Sequence, residues 1–192
     1  MSTISSTKTS KLFFLFLLTS LYSWGQLTKG EYINISVGLG VTSSNDVEID
    51  LFGNGFHAQA EYIVSQSKWF SMRPYLGFVY TSTSKDELEP QFSDSRISTR
   101  AVFFGGKIRL CAPIPYIAPY IDLGIGGALG SFKTISPFSQ VDKDGFVLHI
   151  PFTLGLALGR NHNTSFEFTY YFHLNVNQFS GALALGATFP ID

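Results

Sequence analysis

The sequence predicts an all-β fold: an eight-stranded, antiparallel, up-and-down transmembrane β-barrel. Three observations lead there. Hydrophobic side chains recur with a period of two through nearly the whole chain after the N-terminus. The segments joining the strands alternate between short and long. The bulkier face of each strand carries no charge across its middle, while the opposite face is small, polar and sparsely charged.

Composition fits this reading. The chain has 192 residues, enough for one domain, with 14 % charged and 16 % aromatic residues and 18 glycines. Soluble domains average roughly 25 % charged residues. Beyond the N-terminus no apolar run reaches the roughly 20 residues a helical span requires, so the apolar content belongs to many short strands.

The first 25 residues read as a secretory signal. Lys8 and Lys11 supply a basic start, Leu12 to Tyr22 an apolar run too short to span comfortably, and Ser23 and Gly25 the small residues of a cleavage site. Cleavage after Gly25 leaves residues 26–192 as the barrel domain. The signal takes two lysines and no acids, so 11 Lys and Arg face 14 Asp and Glu in the mature chain, which excludes a nucleic-acid polycation. Cys111 is the one cysteine, so no intrachain disulfide forms.

Eight strands follow in order. Ile33 to Val41 alternates with Asn34, Ser36, Gly38 and Gly40. Phe56 to Val64 alternates with His57, Gln59, Glu61 and Ile63. The third strand sets Leu76, Phe78 and Tyr80 against Tyr75, Gly77 and Val79. The fourth sets Val102, Phe104, Ile108 and Leu110 against Phe103, Lys107 and Arg109. Ile121, Leu123 and Ile125 alternate with Asp122, Gly124 and Gly126. The long run Phe146 to Leu158 alternates with His149, Thr153, Gly155 and Ala157. Phe166, Phe168, Tyr170 and Phe172 alternate with Glu167, Thr169, Tyr171 and His173. Leu183 to Phe189 alternates with Ala184, Gly186 and Thr188. Short turns are expected near 65–71, 111–118 and 160–164. Long polar loops are expected near 42–55, 82–98 and 130–145, with a shorter one near 175–180. Pro74 and Pro119 are expected at strand starts, where they cost no ladder bond.

Polarity decides which face is outside. A soluble barrel would need a heavily charged outer face, and the small, charge-poor face cannot serve. It suits instead the interior of a narrow eight-stranded barrel, which side chains fill. The bulky face then meets lipid, and barrel closure satisfies the backbone groups that hydrocarbon would leave unbonded. Phe56, Tyr80, Phe104, Phe146 and Phe172 form one aromatic girdle, toward the loops. Tyr62, Trp69, Phe70, Phe166 and Phe189 form the other, toward the turns.

On these patterns residues 31–189 resemble the small outer-membrane barrels: OmpX-like proteins and the barrel domain of OmpA-like proteins. The resemblance implies a Gram-negative outer membrane, surrounding lipids and lipopolysaccharide, and a lumen plugged by salt bridges. It also implies a structural or surface-interaction role for a monomer, with a surface partner met through the long loops.

Candidate chemical groups divide into two sets. Glu61, Arg73, Lys107, Arg109, Asp122 and Glu167 all face inward in the turn-end half, three acids matched by three bases, and are expected to form a structural ion network rather than an acid–base catalyst. His57, His149 and His173 face inward near the loops, with His149 opposite His173. A three-imidazole metal site is the sharp reading; lumen filling is the plain one. No catalytic, cofactor-binding or metal-ligating residue is assigned, and no cofactor is expected. Alternatives are a narrow pore and a lipid-modifying enzyme. Lipid A deacylases of similar size use a lipid-facing His with Ser two residues on, whereas His173 is followed by Leu174 and Asn175, and Ser180 is too distant. Nine acids fall in the expected loops: Asp46, Glu48, Asp50, Asp86, Glu87, Glu89, Asp94, Asp142 and Asp144. Arg96 and Arg100, where the fourth strand meets the loops, are candidates for pairing lipopolysaccharide phosphates.

Overall fold

A computed structural model describes residues 29–44, 52–83, 96–135, 140–174 and 178–191. The signal segment 1–25 and the acids Asp46, Glu48, Asp50, Asp86, Glu87, Glu89 and Asp94 lie outside the described residues. Eight strands occur: β1 Gly30–Ser44, β2 Phe52–Ser67, β3 Phe70–Thr83, β4 Arg96–Cys111, β5 Tyr116–Ile135, β6 Gln140–Gly159, β7 Thr164–His173 and β8 Gln178–Pro190. Each pairs antiparallel with its sequence neighbours, and β8 pairs with β1, closing the barrel.

The register fixes the barrel's shape. Following opposed residues around the wall leads from Glu31 to Val64, Met72, Ile108, Leu123, Phe152, Tyr170 and Gly181, then back to β1 at Val41, ten residues beyond the start. Eight strands with that stagger tilt by about 40° and leave an interior that side chains alone can fill.

Alternation sorts the faces as expected. Leu39, Leu76, Ile125 and Leu185 point outward and are 59–67 % exposed. Exposed apolar surface on this scale is foreign to a soluble monomer. Among the described residues, outward-facing charges lie within five positions of a strand end: Glu31, Arg100, Lys133, Asp142 and Asp144. Both sets of girdle aromatics lie on the outer face, with Trp69 in the β2–β3 turn.

Three details differ from the sequence reading. The loop expected at 130–145 is mostly strand, because β5 and β6 continue pairing out to Ile135 and Gln140. Phe132 thereby points inward and is fully buried, while Lys133 meets Asp142 at 3.3 Å on the outside. Asp142 and Asp144 are therefore strand residues. Second, Pro74 is the fifth residue of β3, not its start. The β2–β3 ladder breaks between Glu61↔Tyr75 and Val64↔Met72, while Pro74 stays opposite Gly106 on the β4 side. The missing N–H therefore faces β2, and the proline does cost a rung. Pro151 interrupts the β5–β6 ladder in the same way, between Leu123↔Phe152 and Gly126↔His149. Pro119 is likewise not at the strand start, being the fourth residue of β5, but it keeps its partner Leu156 and so costs no rung on that side. Third, the inner face is less uniformly small than expected. Ile63, Tyr75, Val79, Phe103 and Tyr171 are all buried within it, alongside Phe132.

Candidate functional site

The lumen has two tiers. The turn-end tier gathers all six charged side chains that the sequence places inside. Each is 5 % exposed or less. Glu61 takes Arg73 at 2.7 Å and Lys107 at 2.5 Å. Asp122 is held in a fork by Arg109, whose Nε donates to Oδ1 at 2.6 Å and whose terminal nitrogen donates to Oδ2 at 2.7 Å. Lys107 lies 3.8 Å from the same carboxylate. Glu167 lies 3.7 Å from Arg109 and accepts the Tyr120 hydroxyl proton at 2.8 Å. The Arg109 guanidinium also stacks 3.4 Å over the Tyr120 ring.

Register explains the assembly. Arg109 stands opposite Asp122 and Arg73 opposite Lys107. Glu61 reaches Arg73 and Lys107 across the curvature of the wall. Formal charges cancel within the network, which is the condition for burying six ions. Each of the three acids has a base within 4.0 Å.

The loop-end tier is aromatic. Phe103 stacks on Tyr171 at 4.6 Å between ring centres, with His149 edge-on at 5.2 Å and His173 at 6.0 Å. Phe132 meets His173 edge-on at 5.0 Å. The Tyr75 hydroxyl and His149 Nε2 are 2.6 Å apart. Gly126 makes room for this contact, since a Cβ there would come 2.2 Å from the Tyr75 hydroxyl. Above the rings, Thr42 bonds Thr81 at 2.6 Å and Thr99 at 3.3 Å.

A chain of hydrogen bonds joins the tiers. Tyr171 donates to Gln59 Oε1 at 2.9 Å, and Gln59 Nε2 donates to Glu61 Oε1 at 2.9 Å. The tyrosine proton being used, the 3.2 Å contact of His57 Nε2 with the Tyr171 oxygen places the donor on the histidine. His57 thus belongs to Tyr171. His149 and His173 are directly opposed, with ring centres 5.9 Å apart, as the hairpin position predicts. The three imidazoles do not converge, because Tyr171 stands beside His57. Among the described residues no three His, Cys, Asp or Glu side chains are placed to hold one metal ion.

Two other groups complete the inventory. Cys111 ends β4 at the turn end, half-buried, its backbone N–H bonded to the Trp69 carbonyl at 2.9 Å. His162, which the strand periodicity passes over, sits in the β6–β7 turn with φ of 51° and is 4 % exposed. It lines a turn-end cavity of about 30 Å³ with Ser65, Arg73, Arg109 and Thr188. Burial holds its imidazole below the usual value, partly opposed by its hydrogen bond to the Ile114 backbone. The asparagines on either side, Asn161 and Asn163, are the turn signal that could have marked the position.

No protein-family model and no curated protein matches the chain. Solved structures do. Neisserial surface protein A is similar over 84 % of this chain and 97 % of its own, with a TM-score of 0.51 and 14 % identity. The fold is that of the small eight-stranded outer-membrane barrels. Two further outer-membrane barrels are similar at lower scores. Ail of Yersinia pestis matches over 83 % of this chain and 99 % of its own, with a TM-score of 0.48 and 14 % identity. The outer membrane enzyme PagL matches over 82 % and 99 %, with a TM-score of 0.49 and 15 % identity. At 14 % identity the likeness to Neisserial surface protein A carries the fold and no function.

Within this eight-stranded barrel all four histidines are buried, at 4 % exposure or less. His173 in particular points into the lumen, with Leu174 following it on the outer face. No histidine is presented to lipid.

Proposed function

We propose that the chain is exported by a cleaved signal over residues 1–25 and inserted as a monomer in a Gram-negative outer membrane. There it serves a structural or surface-interaction role, with the loop end of the barrel turned outward and a lumen that does not conduct. The observation that carries this reading is the pairing of an apolar outer wall with an interior filled at one end by six mutually neutralised ions and at the other by packed rings. The turn-end cavity has room for about one water molecule, which supports a plug rather than a narrow pore. Outer-membrane lipids and lipopolysaccharide are its surroundings. Arg100, exposed near the loop end of β4, is the residue best placed to meet a lipid phosphate.

Two measurements test the proposal. Folded protein in a planar bilayer is expected to give no steady single-channel conductance; a reproducible unitary step would refute the plug. Mass spectra of lipid A from cells with and without the protein are expected to be the same. Loss of an acyl chain only in its presence would replace a structural role with lipid modification. The inward histidines argue against that outcome, since a deacylase with a lipid-facing His–Ser pair needs a histidine on the outer wall.

A further inference from the structure

We propose that His149 and His173 form a binding site for a soft, singly charged metal cation of the copper(I) or silver(I) class. The two imidazoles are directly opposed on β6 and β7, their centres 5.9 Å apart and their planes inclined at 66°. Two imidazoles bridged by one ion at nitrogen–metal lengths near 2 Å have ring centres roughly 6 Å apart. The register opposes the two residues, and their ring placement gives the spacing that two-coordinate binding requires.

The nitrogens are also available. Nδ1 of His149 and both ring nitrogens of His173 are buried without a hydrogen-bond partner among protein atoms. A buried polar atom in that condition is destabilising, and three of them cluster here. His149 is additionally fixed from behind. Its Nε2 engages the Tyr75 hydroxyl at 2.6 Å, and when Nε2 carries the proton, Nδ1 is left as a lone pair. An outer hydrogen bond that selects the tautomer and orients the ring is what metal-ligating histidines ordinarily have.

Charge selects the kind of ion. The groups packed around the pair are Phe103, Phe132, Tyr75 and Tyr171. The inward carboxylates Glu61, Asp122 and Glu167 are committed to the turn-end network. A divalent ion would bring two charges into this setting with two neutral ligands, and a hard ion would lack its oxygens. A single soft charge shared by two imidazoles and faced by aromatic rings needs neither.

Silver(I) is the probe, because it is not redox-active. Cys111 would compete for it, so the background is the full chain carrying Cys111→Ser, folded in detergent in chloride-free buffer. Native mass spectrometry should show one silver ion per barrel. His149→Phe or His173→Phe in that background should weaken binding at least tenfold, and His162→Asn should not change it. The proposal is overturned if the Cys111→Ser barrel retains no silver, or if both phenylalanine variants bind as before. Should those variants fail to fold, ring ¹⁵N spectra of the Cys111→Ser barrel decide. Silver must shift nitrogens of two histidines that correlate with each other across the β6–β7 pair. Shifts at His57 or His162 alone, or at none, also overturn it.

Discussion

Arg109 and Asp122 face each other across the β4–β5 ladder and close a two-pronged ion pair, at 2.6 and 2.7 Å, inside the barrel wall. Among the described residues Arg109 is the one base within 4.0 Å of all three inward acids. Removing it leaves Asp122 with Lys107 at 3.8 Å and Glu167 with the Tyr120 hydroxyl. Arg109→Met should therefore destabilise the barrel by about 3–5 kcal/mol, the usual result of stranding a buried charge. Asp122→Asn should cost a comparable amount. The double variant should cost clearly less than their sum, because neither charge is then stranded by the other's loss. Urea unfolding of the folded barrel in micelles, followed by tryptophan fluorescence, measures all three. Additive losses would show that the pair is not coupled.

Phe103 is the centre of the loop-end plug, in contact with Tyr171, His149 and His173 at once. Phe103→Ala opens a cavity among rings that the rigid wall keeps from collapsing inward. A loss of about 3–5 kcal/mol is expected on the same unfolding assay. Phe104→Ala, one position along and facing lipid at 38 % exposure, should cost distinctly less, because lipid chains can fill the space. Equal losses would contradict the inside–outside assignment of β4.

The wall is more legible in the sequence than its contents. A period of two assigns every strand residue to a face, and that suffices to place the six charges together and His149 opposite His173. It cannot say which acid meets which base. Glu61 reaches Lys107 two strands away because the barrel is narrow and its strands tilt, and both facts live in the register. Phe132 escapes the periodicity because the polar residues of 130–145 look like a loop, while the hairpin in fact continues. Pro74 suggests a strand end because a proline usually belongs there; here the ladder gives up a rung instead. Tyr171's position between His57 and the other two histidines depends on side-chain direction across the lumen, which no spacing along one strand encodes.

Pro74 itself gives a local prediction. Its absent N–H would have met the Tyr62 carbonyl, two opposed positions that the β2–β3 ladder skips. Pro74→Val supplies the donor and a β-branched side chain for the lipid face. The amide that this substitution introduces should be protected from hydrogen exchange to the same degree as those of its neighbours Arg73 and Tyr75. The net gain in stability should be small, within about 1 kcal/mol, because the unfolded chain regains freedom as the rung is added. Rapid exchange of the new amide would mean the gap has another cause.

His162 supplies the pH prediction. It lies in the turn, outside the spanning strands, and its burial keeps the imidazole below its ordinary value, the hydrogen bond to the Ile114 backbone only partly offsetting this. Above about pH 6.5 the residue is neutral in both folded and unfolded chains and adds no pH dependence. As the pH falls below that, the unfolded chain takes up a proton that folded His162 resists, so stability is lost progressively down to the folded value. Asparagine removes the titration and tolerates the left-handed backbone at this position, φ 51°. The difference in unfolding free energy between wild type and His162→Asn should therefore be flat from about pH 8 to about 7, then move against the wild type as the pH drops toward about 5. Taking the difference cancels the other histidines. A difference that stays constant across the range would place a charged, solvated imidazole in the turn and contradict its burial.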